Sequence, residues 1–109
     1  MDINTFANEV HELAKTNGFH SGHDEDLYFE QMLGNLHDEI SELHQAARLG
    51  ILNSSCDKNI PLTNMEEELA DIVIRALDLM MHYKINPYEV LWKKHNYNKT
   101  RPFKHGKLH

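Results

Sequence analysis

One eleven-residue stretch, ELADIVIRALD at 68–78, constrains the fold of this chain more than any other. On a helix, at about 100° per residue, the apolar side chains in and just beyond it cover about two thirds of the circumference. The apolar positions are Leu69, Ile72, Val73, Ala76, Leu77 and Met80, widened by Ile74 and Met81. The remaining polar stripe holds Glu68, Asp71, Arg75, Asp78 and His82. Such a helix is expected to be central, with its acidic stripe facing water or a wet cleft.

Three further segments have helical patterns, and no segment alternates as a strand does. We expect helices at 2–16, 25–49 and 87–98, while the third helix runs from a cap at Thr63 or Asn64 to about Lys84. The apolar stripe of the second helix is expected to be Phe29, Leu33, Leu36, Ile40, Leu43 and Ala47. The residues expected to pack inward from the fourth helix are Val90, Leu91 and Trp92.

These patterns predict one all-α domain over residues 1–109, a four-helix bundle with a basic tail at 99–109. Three short neighbours are not expected to cover the wide apolar arc of the third helix. We therefore also predict a homo-oligomer, either a dimer or a dimer of dimers.

Two loops are expected to border a site. The segment 17–26 has no periodicity, and its His20 and His23 are expected to contact a substrate rather than a metal if the loop borders the cleft. The segment 51–63 is longer and polar in its middle, which favours a lid or a rim over a tight connection.

Charge is divided unevenly along the chain, although the net charge is only −6. Residues 93–109 carry six Lys or Arg and no acid, whereas residues 1–92 carry five bases and all 17 acids. A mostly acidic body disfavours duplex DNA as a partner, because DNA binding depends on neutralising many phosphates. The division suits a smaller anion, with acids holding a cation and bases holding phosphate. A solubilising surface with a loose basic tail is the alternative.

The compartment is expected to be the cytoplasm. Cys56 is the single cysteine, so no internal disulfide can form. No apolar run approaches the roughly 20 residues that cross a membrane, and the N-terminal segment lacks the pattern of a signal peptide. We expect no membrane partner.

Two pairs of acids lie at i, i+3 spacing, each on one helix face: Glu39 with Glu42, and Glu68 with Asp71. Antiparallel helices can bring them together as four carboxylates, which repel one another until a hard cation binds. Oxygen ligands without cysteine favour Mg²⁺, with Mn²⁺ as a possible substitute. The alternative is a solvated face in which Arg75 pairs with Asp71 or Asp78. A di-iron bundle is disfavoured, since no Glu has a His three residues later.

The basic end offers a matching set of phosphate contacts. Lys94 and Asn98 are four residues apart on one face of the fourth helix, and Arg101 follows. A cation, an amide and a guanidinium so placed can hold a triphosphate. An ordinary basic helix end, favoured by the helix dipole, is the alternative.

Taken together, these motifs resemble one known family. EISE at 39–42 and ELAD at 68–71 look like the paired motifs of the MazG-like, all-α NTP pyrophosphohydrolases. The segments ELADIVIRALDLM and KHNYNKTRPFKHGK are similar to the phage and bacterial MazG-like branch, and NGFH before the second helix fits as well. The resemblance covers roughly residues 10–107.

This resemblance implies hydrolysis of a nucleoside triphosphate, NTP or dNTP, to the monophosphate and pyrophosphate, in nucleotide-pool house-cleaning or control. It assigns Mg²⁺ binding and catalysis to Glu39, Glu42, Glu68 and Asp71. It assigns phosphate contacts to Lys94, Asn98 and Arg101. The ions would screen the triphosphate and lower the pKa of the attacking water, with a carboxylate as base. Relatives often carry a small residue and another acid after the first pair, where this chain has HQA at 44–46, so the number of ions stays open.

The competing class is a non-catalytic interaction module, an acidic helical dimer that binds a partner protein. It predicts that the carboxylates can be altered singly without loss of function.

Overall fold

The computed structural model describes residues 1–18, 20 and 25–102, which form four α-helices. They are α1 (Ile3–Thr16), α2 (Tyr28–Arg48), α3 (Asn64–His82) and α4 (Pro87–Lys99). These ranges contain no strand, only an isolated bridge between Ser55 and Thr63, so the predicted all-α class is confirmed. None of the helices in the described ranges is long and apolar enough to cross a bilayer.

Side-chain caps fix the first residue of three helices. Asp2 accepts a hydrogen bond from the Thr5 N–H at 2.8 Å and caps α1. Thr63 caps α3 in a reciprocal capping box with Glu66. Asn86 caps α4, because its side-chain oxygen accepts a hydrogen bond from the Glu89 N–H. A glycine follows each of the first two helices and has the positive φ of a left-handed helix end: Gly18 at +80° after α1 and Gly50 at +70° after α2.

Helix α3 is the central element, and both α1 and α2 pack against it in antiparallel orientation. The direction of α2 follows from two contacts with α3, Tyr28–His82 and Glu39–Arg75. The direction of α1 follows from His11–Asp78 on α3 and from Asn4–Asn86 just beyond the end of α3. Because α2 runs antiparallel to α3, the segment of α2 with Glu39 and Glu42 lies beside the segment of α3 that begins at Glu68.

The buried face of α2 differs from the predicted stripe. Its buried residues are Tyr28, Met32, Glu39 and Ala46. Phe29 and Ile40, which belong to the predicted stripe, are each 47 % exposed. Their positions follow Tyr28 and Glu39 by one residue, about 100° around the helix. Helix α3 covers one side of α2, so that Leu33, Leu36 and Leu43 of the predicted stripe are partly buried. Phe29, Ile40 and Ala47, on the far edge of the stripe, are exposed.

Helix α4 is held mainly at its first turn. Pro87 is buried, and the Tyr88 N–H donates to Asn4 Oδ1 at 2.9 Å. The expected inward packing of α4 is wrong for a single chain: Val90, Leu91 and Trp92 are 38, 45 and 48 % exposed. The physical reason is that α4 lies against α1 and α3, and none of the other helices within residues 1–18, 20 and 25–102 covers its other side.

A single chain leaves much of its apolar surface uncovered. On α3, Leu77 is only 3 % exposed, but Leu69 and Val73 are 47 and 52 % exposed. The accessible surface is 8107 Å², against about 6,200 Å² for a compact monomer of this mass. The radius of gyration is 16.3 Å, against about 13 Å for a compact domain of this length. On the apolar arc of α3, Leu69 and Val73 are thus the residues left exposed within the chain.

Candidate functional site

Three of the four predicted metal ligands lie together between α2 and α3. Glu39, Glu42 and Glu68 each offer a carboxylate oxygen, and these atoms all lie within 4.8 Å of one another. We call these three residues the carboxylate cluster. Asp71, the fourth predicted ligand, is one turn further along α3 and, among the described residues, is not part of the cluster.

The cluster follows from helix periodicity and from the cap of α3. Glu39 and Glu42 are three residues apart and so share a face of α2. Glu68 is five residues after Thr63, whose capping box with Glu66 fixes where α3 starts. The antiparallel packing then brings Glu68 to the face of α2 that carries both acids.

Burial and an ion pair make Glu39 the anchored member of the cluster. Its side chain is 9 % exposed, and its Oε1 accepts a hydrogen bond from Arg75 Nε at 2.8 Å. The sequence had offered Arg75 as a partner for Asp71 or Asp78, but the bond that the structure gives it crosses to α2. One buried charge of the cluster is therefore compensated by a guanidinium.

Two oxygens of the cluster are buried without a hydrogen-bond donor among the described residues, Glu39 Oε2 and Glu68 Oε2. Burial, followed by the charges of Glu42 and Glu39, raises the pKa of Glu68 to about 7. Buried carboxylate oxygens without donors, held close together, form a donor set that a hard divalent cation fits. The residues present therefore suit Mg²⁺ or Mn²⁺.

Asp71 faces a groove between α1 and α3. The groove has a volume of about 390 Å³, its floor is apolar, and Asp71, Arg75 and Asp78 line its polar edge. Burial, followed by the charges of Glu39 and Glu67, raises the pKa of Asp71, while Arg75 and Lys58 oppose that rise. Asp71 is thus electrostatically connected to the carboxylate cluster but opens towards a different cavity.

The 51–63 loop forms a wall beside the cluster, which fits the predicted rim. A second groove of about 510 Å³ lies between this loop and α2, and both Glu42 and Glu68 line it. Lys58 from the loop also lines it and pairs with the buried Glu67 at 3.2 Å. Within the loop, the side chain of Cys56 is buried, and the Cys56 backbone N–H donates to Leu62 O at 2.9 Å.

Sequence reasoning missed Lys58 and Glu67. Glu67 looked like part of the cap of α3, and no periodic signal in a loop indicates where a lysine will point. The signal that could have indicated Lys58 is its charge, since it is one of only five bases in residues 1–92, which carry all 17 acids.

The predicted phosphate contacts are not beside the carboxylate cluster in the single chain. Neither of the two grooves is lined by Lys94, Asn98 or Arg101. Lys94 Nζ and the Arg101 guanidinium lie over the ring of Tyr97, at 4.9 and 5.6 Å from its centroid. The Asn98 Oδ1 is buried without a donor among the described residues. Lys94 and Arg101 thus share the Tyr97 ring, and the role of all three residues with phosphate stays a prediction.

Of the two loop histidines, the structure places one. His20 lies against Asp78 rather than against the carboxylate cluster, with its Nε2 2.9 Å from both carboxylate oxygens. His23 lies outside the described residues, as does the tail beyond Pro102. The C-terminal part of the polar stripe on α3 is therefore turned inwards, onto α1 and the loop.

Comparisons of the chain with family models, curated proteins and solved structures found no match.

Proposed function

We propose that this protein is a Mg²⁺-dependent nucleoside triphosphate pyrophosphohydrolase, which releases a nucleoside monophosphate and pyrophosphate. The single observation that carries the proposal is the carboxylate cluster with its two buried oxygens that lack donors. The resemblance of EISE, ELAD and the basic ending to the MazG-like family supplies the reaction.

The position of each residue suggests its role in metal binding or catalysis. Glu39, Glu42 and Glu68 would hold Mg²⁺, or Mn²⁺ in its place. When bound, the ion supplies positive charge to the triphosphate and acidifies water. Arg75 orients Glu39 through their hydrogen bond at 2.8 Å. Asp71 lies outside the cluster and lines the groove between α1 and α3, so its part in metal binding or as general base rests on the resemblance to the family.

The basic group on α4 would hold the phosphates. Lys94, Asn98 and Arg101 do not line the grooves beside the acids in one chain. We propose that α4 of a second copy brings them there. In this arrangement each site combines the acids of one protomer with the basic end of its partner.

Self-association is supported by the apolar surface that a single chain leaves open. Phe29 and Ile40 on α2, and Leu69 and Val73 on α3, are about half exposed although they sit on regular helices. Covering them in a homodimer, or in a dimer of dimers, would bury the α2–α3 layer on both sides. An exposed apolar patch of this kind is typical of an interface.

Activity can be tested by a screen of canonical NTPs and dNTPs, scoring pyrophosphate release with Mg²⁺. We expect activity in the wild type and none in Glu68→Gln or Asp71→Asn. Asp38→Asn is the matched control, because Asp38 is an exposed acid next to Glu39 on the same helix. Asp38→Asn should keep wild-type activity.

The competing function, a non-catalytic acidic dimer, predicts a different pattern. It predicts no pyrophosphate release from any nucleotide and no Mg²⁺ binding by calorimetry, although the oligomer forms. Wild-type activity in Glu68→Gln and Asp71→Asn would equally overturn the proposed site.

A further inference from the structure

A second group of potential metal ligands lies at the other end of α3 from the carboxylate cluster. His11 on α1, His20 in the following loop and Asp78 on α3 each offer one ligand atom, all within 4.8 Å of one another. His11 Nδ1 is 2.8 Å from Asp78 Oδ1, and His20 Nε2 is 2.9 Å from both Asp78 oxygens. Asp78 is ten residues beyond Glu68, about 15 Å along the helix axis.

The charge balance of this group is unusual. The Asp78 side chain is 9 % exposed, and those of His11 and His20 are 13 and 9 % exposed. Among the described residues, Asp78 pairs with imidazole nitrogens and with no Lys or Arg. A buried carboxylate is costly without a cation. Imidazole N–H groups can donate to this carboxylate, but compensation of its full charge takes either a protonated imidazole or a bound metal ion.

We propose that His11, His20 and Asp78 form a binding site for a divalent transition-metal ion of the Zn²⁺ class, separate from the carboxylate cluster. Two imidazole nitrogens and one carboxylate are a donor set that Zn²⁺ and its neighbours prefer, whereas Mg²⁺ prefers oxygen alone. The same chain thus offers two chemically distinct sites, an all-oxygen one and a nitrogen–oxygen one. This inference is independent of the proposed hydrolase activity.

The surroundings orient the histidine from the loop. The Tyr28 oxygen is 2.6 Å from His20 Nδ1 and 3.5 Å from Nε2, so the nearer nitrogen can pair with the hydroxyl while Nε2 faces Asp78. A metal-bound histidine almost always makes such a second hydrogen bond. The ring of His82 stacks on His20 and on Tyr28, at centroid distances of 5.2 and 3.9 Å. Stacking and hydrogen bonding together hold the His20 ring in place.

The ligand spacing requires only a small adjustment. The nitrogen–oxygen distances of 2.8 and 2.9 Å are hydrogen-bond lengths. Ligands on a tetrahedral Zn²⁺ at roughly 2.0–2.1 Å are about 3.3 Å apart. An opening of about 0.4 Å at each nitrogen–oxygen pair accommodates the ion, while the two imidazole nitrogens already lie within 4.8 Å of each other. The remaining position is left for water. A bound ion would tie α1, the loop and α3 together at one point.

The site can be tested on the full chain after removal of metals with a chelator. Zn²⁺ is titrated by calorimetry with a large excess of Mg²⁺ present, so that the carboxylate cluster is not the binding site observed. We expect one Zn²⁺ per chain. His11→Ala and His20→Ala should each weaken binding by at least ~100-fold, since each removes a ligand, and Tyr28→Phe by about 10-fold. His44→Ala is the control, because His44 is exposed on α2, and it should bind as the wild type does.

Two further measurements make the test decisive. Far-UV circular dichroism shows whether each variant keeps its helices, and Tyr28→Phe keeps the ring that fills the core even if His20→Ala does not fold. Co²⁺ in place of Zn²⁺ should give visible absorption that Glu68→Gln retains and His11→Ala loses. The proposal is overturned if no Zn²⁺ binds under excess Mg²⁺, if folded His11→Ala and Tyr28→Phe bind like the wild type, or if Glu68→Gln abolishes binding.

Discussion

Arg75 Nε donates a hydrogen bond to Glu39 Oε1 at 2.8 Å, and this bond joins α3 to α2 beside the carboxylate cluster. It compensates one buried carboxylate and leaves Glu39 Oε2 without a donor among the described residues. The guanidinium therefore makes a crowded set of acids tolerable in the metal-free protein without occupying the oxygen that a cation would need.

Replacing Arg75 should destabilise the metal-free protein more than the metal-bound one. In EDTA we expect Arg75→Met to lower the free energy of unfolding by about 2 kcal/mol, because Glu39 is left buried and unpaired. Saturating Mg²⁺ should reduce that loss. Lys93→Met is the matched control, since its pair with Glu89 is exposed, and it should cost less than about 0.5 kcal/mol. Denaturant unfolding measures the loss of unfolding free energy for both variants, in EDTA and in Mg²⁺. An equal loss for Arg75→Met in the two conditions would contradict the prediction.

The raised pKa of Glu68 predicts how stability changes with pH in EDTA. The folded carboxyl keeps its proton up to about pH 7, whereas the unfolded one releases it near 4.5. The folded state therefore binds more protons between these values, and its stability should fall as the pH rises through them. Glu68→Gln removes this contribution. At pH 8 the variant should be more stable by about 1 kcal/mol, less than the full shift implies because the site is open to water.

The comparison of Glu68→Gln with the wild type at pH 4 is the internal control. Both side chains are then uncharged, so the difference in stability seen at pH 8 should largely vanish. A variant that melts lower than the wild type at both pH values would show that Glu68 is a structural partner instead.

Loss of the basic group should affect the nucleotide and not the ion. Lys94→Ala or Arg101→Ala should lower kcat/KM by an amount worth about 1.5–3 kcal/mol, typical of a charge-assisted hydrogen bond. Mg²⁺ affinity without nucleotide should stay unchanged in calorimetry. Lys93→Ala, one residue from Lys94, serves as the control. If Lys94→Ala and Arg101→Ala keep the wild-type kcat/KM, the basic end is only a solubilising segment.

A charge on the open apolar face should dissociate the oligomer. We expect light scattering to show at least a dimer for the wild type at micromolar concentration, and a monomer for Val73→Glu or Ile40→Glu. Ile60→Glu is a close control, because Ile60 and Ile40 are each 47 % exposed but Ile60 lies in the 51–63 loop. A wild-type monomer would refute the prediction, as would dissociation by Ile60→Glu alone.

Mixing two inactive variants should restore activity if each site is shared between protomers. Glu68→Gln lacks the acid and Arg101→Ala lacks the phosphate contact, so a mixed dimer contains one intact site. Equal mixing with free exchange should recover roughly a quarter of wild-type activity, since half of the dimers are mixed and each has one working site of two. No recovery, despite proven subunit exchange, would place both groups of residues in the same chain.

The sequence predicted the elements of this fold well because helix boundaries depend on local chemistry. Asp2, Thr63 and Asn86 cap their helices through side-chain bonds to residues three positions later, which adjacent residues alone specify. The i, i+3 spacing likewise placed Glu39 and Glu42 on one face. Three of the four predicted ligands thus came together, as a direct result of periodicity and antiparallel packing.

What the sequence did not predict is which face meets which neighbour. Periodicity marks Phe29 and Ile40 as apolar, but it does not say whether the same chain or another chain covers them. Asp78 looked like part of a solvated stripe, yet it is buried against His11 and His20. Such contacts join residues 58 to 67 positions apart, and their formation depends on the path of a loop, which no local pattern encodes.

The capping box of Thr63 and Glu66 sets the rotational phase of everything downstream on α3. One residue inserted between Thr63 and Glu68 would turn the glutamate by about 100° and carry it off the face that meets α2. Residues inserted between 57 and 61 would leave that phase unchanged. Insertions and deletions should therefore be tolerated in the middle of the loop and excluded from its last few residues. The segment from Thr63 to Glu66 contains no predicted ligand, yet it fixes the position of Glu68 in the carboxylate cluster.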